Sequence, residues 1–143
     1  MGKTAVIYWS GTGNTEAMAN AVADAVKAAG GECDIMTVSE ISADKAAEYD
    51  NLALGCPAMG AEVLEEGEFE PFFAELEGML GGKNVALFGS YGWGDGEWMR
   101  SWQERVNDAG AKLVGGEGVI ANEAPDDEAL EKCAALGREL ASL

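Results

Sequence analysis

No histidine occurs anywhere in the chain, and only nine lysines and arginines stand against 26 aspartates and glutamates. The first absence removes the commonest general base and metal ligand. The second leaves a formal net charge of −17, a field that repels nucleic acid and anionic membrane and draws basic protein surfaces toward it. Acidity also keeps a protein soluble, so it excludes partners better than it names one. Cysteine is scarce: Cys33, Cys56 and Cys133 are odd in number, far apart, and include no CxxC pair. That pattern argues against a disulfide framework or a zinc site and suits small buried hydrophobes in a reducing compartment. After Met1-Gly2-Lys3-Thr4 come only five strongly apolar residues, too few for a signal peptide or a membrane span. The expectation is a cytoplasmic, monomeric protein with neither a nucleic-acid nor a membrane partner. With three prolines, no repeat, no linker and 48% hydrophobic residues, all 143 residues read as one domain with a real core.

Apolar runs of strand length alternate with segments of helical period. Thr4 to Trp9 is a continuous run rich in β-formers, as expected for a parallel strand buried on both faces. Met18, Val22, Val26 and Ala29 then mark one face of a helix over about residues 14–29, closed by Gly30-Gly31. Cys33 to Val38 reads as a second strand, and Leu52 to Cys56 as a third that Pro57 stops. An acidic loop precedes a helix over about residues 68–80 carrying Phe69, Phe72, Phe73, Leu76 and Leu80. Asn84 to Gly89 is the fourth strand, and a glycine-rich loop from Ser90 to Gly96 leads into a helix through Trp98, Trp102 and Val106. Lys112 to Ala121 reads as an unbroken fifth strand. The last helix starts after Pro125, with Asp126, Asp127 and Glu128 at its positive end, and turns Leu130, Cys133, Gly137 and Leu140 toward the sheet. Strands separated by helical connections call for an α/β fold whose parallel sheet is covered on both faces.

The loop after the first strand, Ser10-Gly11-Thr12-Gly13-Asn14-Thr15, runs straight into a helix. Ser10, Thr12 and Thr15 offer hydroxyls, Asn14 an amide, and Gly11 and Gly13 let backbone N–H groups crowd at the positive helix end. A small polar strand-to-helix turn with a hydroxyl cap would look similar. A nucleotide triphosphatase loop would end in Gly-Lys-Ser/Thr, and no lysine lies here. A dinucleotide fingerprint would place glycine at position 16, which is Glu16. Neutral donors and a helix end suit a permanently bound monophosphate rather than a transferred one.

The hexapeptide SGTGNT resembles the FMN-phosphate loop of flavodoxins. The likeness continues through YWSGTGNTE, LGCPAMG, EFEPFF and ALFGSYGWGDGEWM, which together look like the short-chain flavodoxins of anaerobic bacteria and span essentially the whole chain in order. A fifth strand without an insertion fits that class. The resemblance implies a doubly wound, five-stranded parallel sheet of order 2-1-3-4-5. Its ligand crevice would lie beyond the carboxyl ends of the strands where the order reverses, a rule that flavodoxins themselves illustrate. It also implies FMN as cofactor and a low-potential carrier of single electrons between redox enzymes, rather than an enzyme.

Further site roles come from the same resemblance. Pro57-Ala58-Met59-Gly60-Ala61-Glu62 would pack on the inner face of the isoalloxazine, and Ser90-Tyr91-Gly92-Trp93 on the outer face. Met59 would supply a polarisable thioether and Trp93 a stacking plane. The Met59–Gly60 peptide would turn its carbonyl toward ring N5–H and so stabilise a neutral semiquinone, a turn needing the positive φ that glycine tolerates. Glu62 would accept from ring N3–H, the loop around Gly92 would donate to the pyrimidine carbonyl, and Ser90 would reach the phosphate. Trp9 and Trp98 would border the site or serve equally as packing residues.

These loops hold no cation, whereas Glu62, Glu65, Glu66, Asp95 and Glu97 lie in or near them. One carboxylate ~12 Å away in water raises an anionic reduced ring by roughly 0.3 kcal/mol. Five or six would give about 2 kcal/mol before screening, on the order of 80–90 mV.

Three other functions fit the fold class, one of them a non-redox FMN-binding module, distinguished by whether partner enzymes reduce it. A phosphoryl-accepting receiver needs acidic residues after the first strand and an aspartate after the third, where this chain has Trp9-Ser10 and Cys56-Pro57. An FMN-dependent quinone or nitro reductase needs room and basic residues for a nicotinamide cofactor, which this short chain does not offer. A carrier would instead meet basic docking surfaces through small, salt-sensitive interfaces.

Overall fold

Strand β1 (Thr4–Tyr8) is buried along its whole length, as its unbroken apolar run requires. In the computed structural model, which describes residues 2–143, β1 lies between β2 (Cys33–Thr37) and β3 (Asn51–Gly55), and β4 (Asn84–Tyr91) follows β3. All these strand pairings are parallel, and the order is β2-β1-β3-β4-β5, with β5 at Lys112–Leu113 and β6 (Val119–Asn122) also on β4. Register brings the strand ends level, since Tyr8 pairs with Gly55 and Gly55 with Phe88. The loops after β1, β3 and β4 therefore open onto one edge.

Alternate residues of each strand feed opposite cores. Ala5, Ile7, Leu52, Leu54, Val85 and Leu87 pack beneath α3 (Phe69–Glu77) and α4 (Glu97–Asp108), against Phe69, Phe73 and Trp102. The Trp102 ring meets Phe69 and Phe73 edge-on, with centroids 5.4 and 5.9 Å apart. Arg105 ties the two helices: it donates to Glu70 at 2.7 Å and Glu77 at 3.0 Å while lying 4.7 Å above the Phe73 ring. On the other face, Val6, Ala53, Ala86 and Phe88 meet α1 (Asn14–Ala28) and α5 (Asp127–Ala141). A Cβ at Gly137 would sit 2.4 Å from the Val22 carbonyl, so glycine is what lets α5 lie this close to α1.

The expected unbroken fifth strand is two pieces. β5 (Lys112–Leu113) pairs with the start of β4, and β6 (Val119–Asn122) with its end, so both share the fifth sheet position. Gly115 and Gly116, with φ of 80° and 81°, break the run, because positive φ cannot continue a strand. β4 in turn reaches Tyr91 rather than Gly89, since β6 pairs Ser90 with Ala121 and Tyr91 with Asn122. The β2–β3 connection holds a 3-10 turn (Val38–Glu40) and the one-turn α2 (Ala43–Ala46), capped by Ser42. In α5, capped by the Asp126 carboxylate, Ala129 and Leu136 fill buried places while Leu130 is half-buried. Cys56 and Cys133 are buried, and Cys33 is partly exposed. Among the described residues no helix is long and apolar enough to cross a membrane.

Candidate functional site

The turn after β1 is organised by its own side chains. Ser10 Oγ accepts from the N–H groups of Gly13 (3.1 Å) and Glu16 (3.3 Å), and Thr12 Oγ1 accepts from Asn14 at 3.4 Å. Gly13, at φ 94°, starts α1 in a conformation that a β-carbon would oppose. Thr15 is buried, and its hydroxyl accepts from the Ser90 N–H at 3.3 Å, fastening this turn to the end of β4. Tyr8 donates to Glu16 at 3.1 Å, and burial together with that bond raises the phenol above its ordinary pKa.

The turn after β3 is a short hairpin. Met59 and Val63 exchange both backbone bonds, at 2.8 and 2.9 Å, around the tip Gly60-Ala61-Glu62. Gly60 has φ 51° and Glu62 φ 56°. The Met59 carbonyl is thereby occupied by the Val63 N–H. That bond stands against the expectation that the Met59–Gly60 peptide turns; the Gly60 carbonyl, in the next peptide, accepts instead a side-chain bond from the Trp93 indole at 3.1 Å.

The Glu62 carboxylate, expected at ring N3–H, is bonded to the start of α4. Its Oε1 accepts from Gly96 (3.2 Å) and Glu97 (3.1 Å), placing the charge at the positive end of α4. Gly94 allows this contact, because a Cβ there would lie 2.3 Å from the Glu62 carboxyl carbon. Glu65 caps α3, accepting from Gly67, Glu68 and Phe69 at 2.7–2.8 Å. Arg100 pairs with Asp95 (2.9 Å) and Glu97 (2.8 Å), a cation one turn beyond the third loop that offsets part of the expected acidic field. Cys56 lies under the second loop, where burial pushes its thiol up, and Trp98 donates to its carbonyl at 3.1 Å. Trp98 is thus a buried support beneath the site rather than a border of it.

Between these turns lies a crevice of about 580 Å³, within the range of small-molecule sites. Of the expected site residues, Gly11, Thr12, Asn14, Pro57, Ala58, Met59, Ser90, Tyr91, Gly92 and Trp93 line it. Ser10, Gly13, Thr15, Gly60, Ala61 and Glu62 are not among its lining residues; Ser10 and Thr15 brace the first turn, and Glu62 is bonded to the start of α4. Trp9 lines it too, as do Glu123 and Ala124, which the sequence reading missed. One end offers hydroxyls, an amide and a helix start; the other offers Met59, Pro57, Trp9 and a Trp93 ring that is 57% exposed. Among the described residues no lysine or arginine lines it. The donor set suits a phosphate at one end and a flat aromatic system at the other, so the residues fit FMN.

Residues 6–137 match the family model described as Flavodoxin. The chain is 50% identical over 136 residues to a flavodoxin of Megasphaera elsdenii, covering 95% of this chain and 96% of that one. It is 47% identical over 138 residues to a flavodoxin of Clostridium beijerinckii, covering 96% and 99%. The solution structure of two-electron reduced Megasphaera elsdenii flavodoxin superposes with a TM-score of 0.90 at 48% identity, covering 98% of this chain and 99% of that one. The chain belongs to the flavodoxin family.

Proposed function

We propose that the crevice holds one FMN, with its phosphate on the Ser10–Thr15 turn and its ring between Met59 and Trp93. The observation that carries this reading is one continuous crevice joining a cation-free oxyanion cradle to an exposed tryptophan and a thioether. As a flavodoxin the chain is an electron-transfer protein and not an enzyme, shuttling electrons to redox enzymes. FMN, when bound, supplies the one-electron chemistry. Every other contribution comes from this chain's own residues.

Gly11, Thr12 and Asn14 bind the phosphate within a turn that Ser10, Gly13 and Thr15 brace. Ser90 joins that turn to the fourth strand, and its own hydroxyl donates to the Glu123 carbonyl at 2.7 Å. Pro57, Ala58 and Tyr91 wall the slot, the loop around Gly92 offers backbone N–H groups to the ring edge, and the Ala61–Glu62 segment borders the pyrimidine. The Gly60–Ala61 peptide reorients its carbonyl. Turning it swings Gly60, at φ 51°, toward a region of positive φ that only glycine occupies readily. This hinge favours the half-reduced flavin, and the surrounding carboxylates disfavour the fully reduced anion, giving a low-potential carrier.

The carrier acts as a single-domain monomer in the cytoplasm and meets partners with basic docking faces. A net charge of −17 supports steering of that kind. The absence of a lining cation favours this over a quinone or nitro reductase, which must seat a nicotinamide phosphate. Titrating the flavin-free protein with FMN is the test. One equivalent should quench flavin fluorescence, and the loaded protein should not turn over NADPH with quinone alone. Failure to bind FMN would overturn the reading, and steady turnover would favour the reductase.

A further inference from the structure

The outer edge of β6 is open, because β6 pairs with β4 alone. The Glu123 N–H donates to the Tyr91 carbonyl at 2.7 Å. Val119 and Ala121 therefore turn their backbone groups toward β4 as well, while Gly118, Ile120 and Asn122 turn theirs away from the sheet. The Gly118 N–H is met by Gln103 Oε1 at 2.7 Å. The outward groups of Ile120 and Asn122 face no further strand. Edge strands are commonly blunted by lysine, proline or a covering element. β6 holds neither residue, and its Ile120 side chain is exposed. A groove of about 590 Å³ runs beside it, between α4 and α5. Met99 and Ile120 make its apolar wall on the α4 side, and Leu136 and Glu139 make the wall on the α5 side. A second hollow of about 190 Å³ shares Ile120 and Lys132 with this groove and Ala124 with the flavin crevice. The groove thus continues along the free edge as far as the crevice.

We propose that the free edge of β6 and the groove beside it are a docking site for an extended basic segment of a redox partner, which adds to the sheet as a further strand. The partner's class rests on the carrier reading above. Charge selects the segment. Arg100 is held by Asp95 and Glu97, and Lys132 faces Glu128 at 4.0 Å. Among the described residues no ion pair reaches Glu117, Asp126 or Glu139, all of them exposed along the groove. Asp126 and Glu139 stand on the α5 side, opposite the apolar Met99 and Ile120. A strand sends alternate side chains to opposite faces. One that alternates basic and apolar residues would meet carboxylates with one face and the apolar wall with the other. Main-chain bonds to Ile120 and Asn122 give attachment, and the alternate side chains give selection. A second copy of this chain fits poorly, since each copy carries a net charge of −17. Because the groove ends at the crevice, a partner held there stands beside the flavin.

The probe is a short, end-capped peptide of alternating valine and lysine, titrated at low salt into the flavin-free and FMN-loaded protein. Its dissociation constant is measured for the wild type, Ile120→Pro and Glu139→Gln, and amide hydrogen exchange is followed by NMR. Ile120→Pro deletes an outward N–H that makes no ladder bond, a position where edge strands tolerate proline. Thermal unfolding checks that the variant folds. In the wild type the peptide should slow exchange at the Ile120 and Asn122 amides. Ile120→Pro should weaken it by roughly tenfold, and Glu139→Gln by about threefold. Three results would overturn the proposal: no binding at low salt, binding that leaves those two amides unprotected, or unchanged affinity for a folded Ile120→Pro. Should the proline variant fail to fold, amide exchange in the wild type decides. If the protein takes up no FMN, the functional reading fails, and the flavin-free titration still judges the groove.

Discussion

The two ends of the crevice are built on opposite plans. The cradle after β1 is closed on itself: Ser10 and Thr12 cap their own turn, and buried Thr15 anchors it to β4. The slot between the second and third loops is closed by those loops on each other, through the Trp93 indole on the Gly60 carbonyl and Glu62 on the start of α4. A self-capped turn keeps its shape whether or not a phosphate is present. The Trp93–Gly60 bond bridges the two loops, so on the proposed reading a ring seated between them would have to displace it. One end therefore gives a fixed anchor, and the other gives the freedom that redox tuning needs.

The largest blow to the slot is Trp93→Ala, which should weaken FMN binding by roughly 1–3 kcal/mol, the scale of a lost aromatic contact. Equilibrium titration would show it, and unchanged affinity would remove Trp93 from the ring. Next comes Gly60→Ala. Space exists for the methyl group, with no atom within 4 Å of the added carbon, so FMN affinity should change little. An alanine at positive φ resists the swing, and the gap between the two one-electron potentials should narrow by roughly 60 mV, about 1.4 kcal/mol. Equal losses in affinity and in that gap would contradict the hinge.

The cradle answers to Thr15→Val, which keeps the shape and removes the acceptor for the buried Ser90 N–H. Flavin-free stability should fall by about 1–2 kcal/mol in chemical denaturation, with the gap between potentials unmoved. Smallest is Glu62→Gln, which retains an acceptor for Gly96 and Glu97 but removes the charge from the α4 terminus. It should cost under about 1 kcal/mol in thermal unfolding; a larger loss would make Glu62 a principal fastener of the slot.

Much of this was legible in the chain itself. The apolar runs Thr4 to Trp9 and Leu52 to Cys56 announced the buried parallel strands found at Thr4–Tyr8 and Asn51–Gly55, and SGTGNT announced the turn that leads into α1. The fifth strand misled because Val114, Val119 and Ala121 are apolar enough to suggest continuity, while the break depends on Gly115 and Gly116 adopting positive φ. Composition alone does not reveal φ. The Met59–Gly60 peptide read as the free one because the Met59–Val63 backbone exchange that occupies the Met59 carbonyl has no side-chain signature. Glu65 read as a ring-side charge although it caps α3; its position just ahead of the Phe69 helix was the available clue. Glu123 carried no signal, since its place in the crevice follows from β6 pairing with an extended β4.

The central claim is that a rigid cradle and a yielding slot grip one flavin so that it takes electrons singly. Anaerobic reductive titration of the FMN-loaded protein, followed by absorbance, tests it most directly. The account predicts two separated one-electron steps, with the long-wavelength band of a neutral flavin radical rising and then falling. A single two-electron bleaching without that band would contradict it.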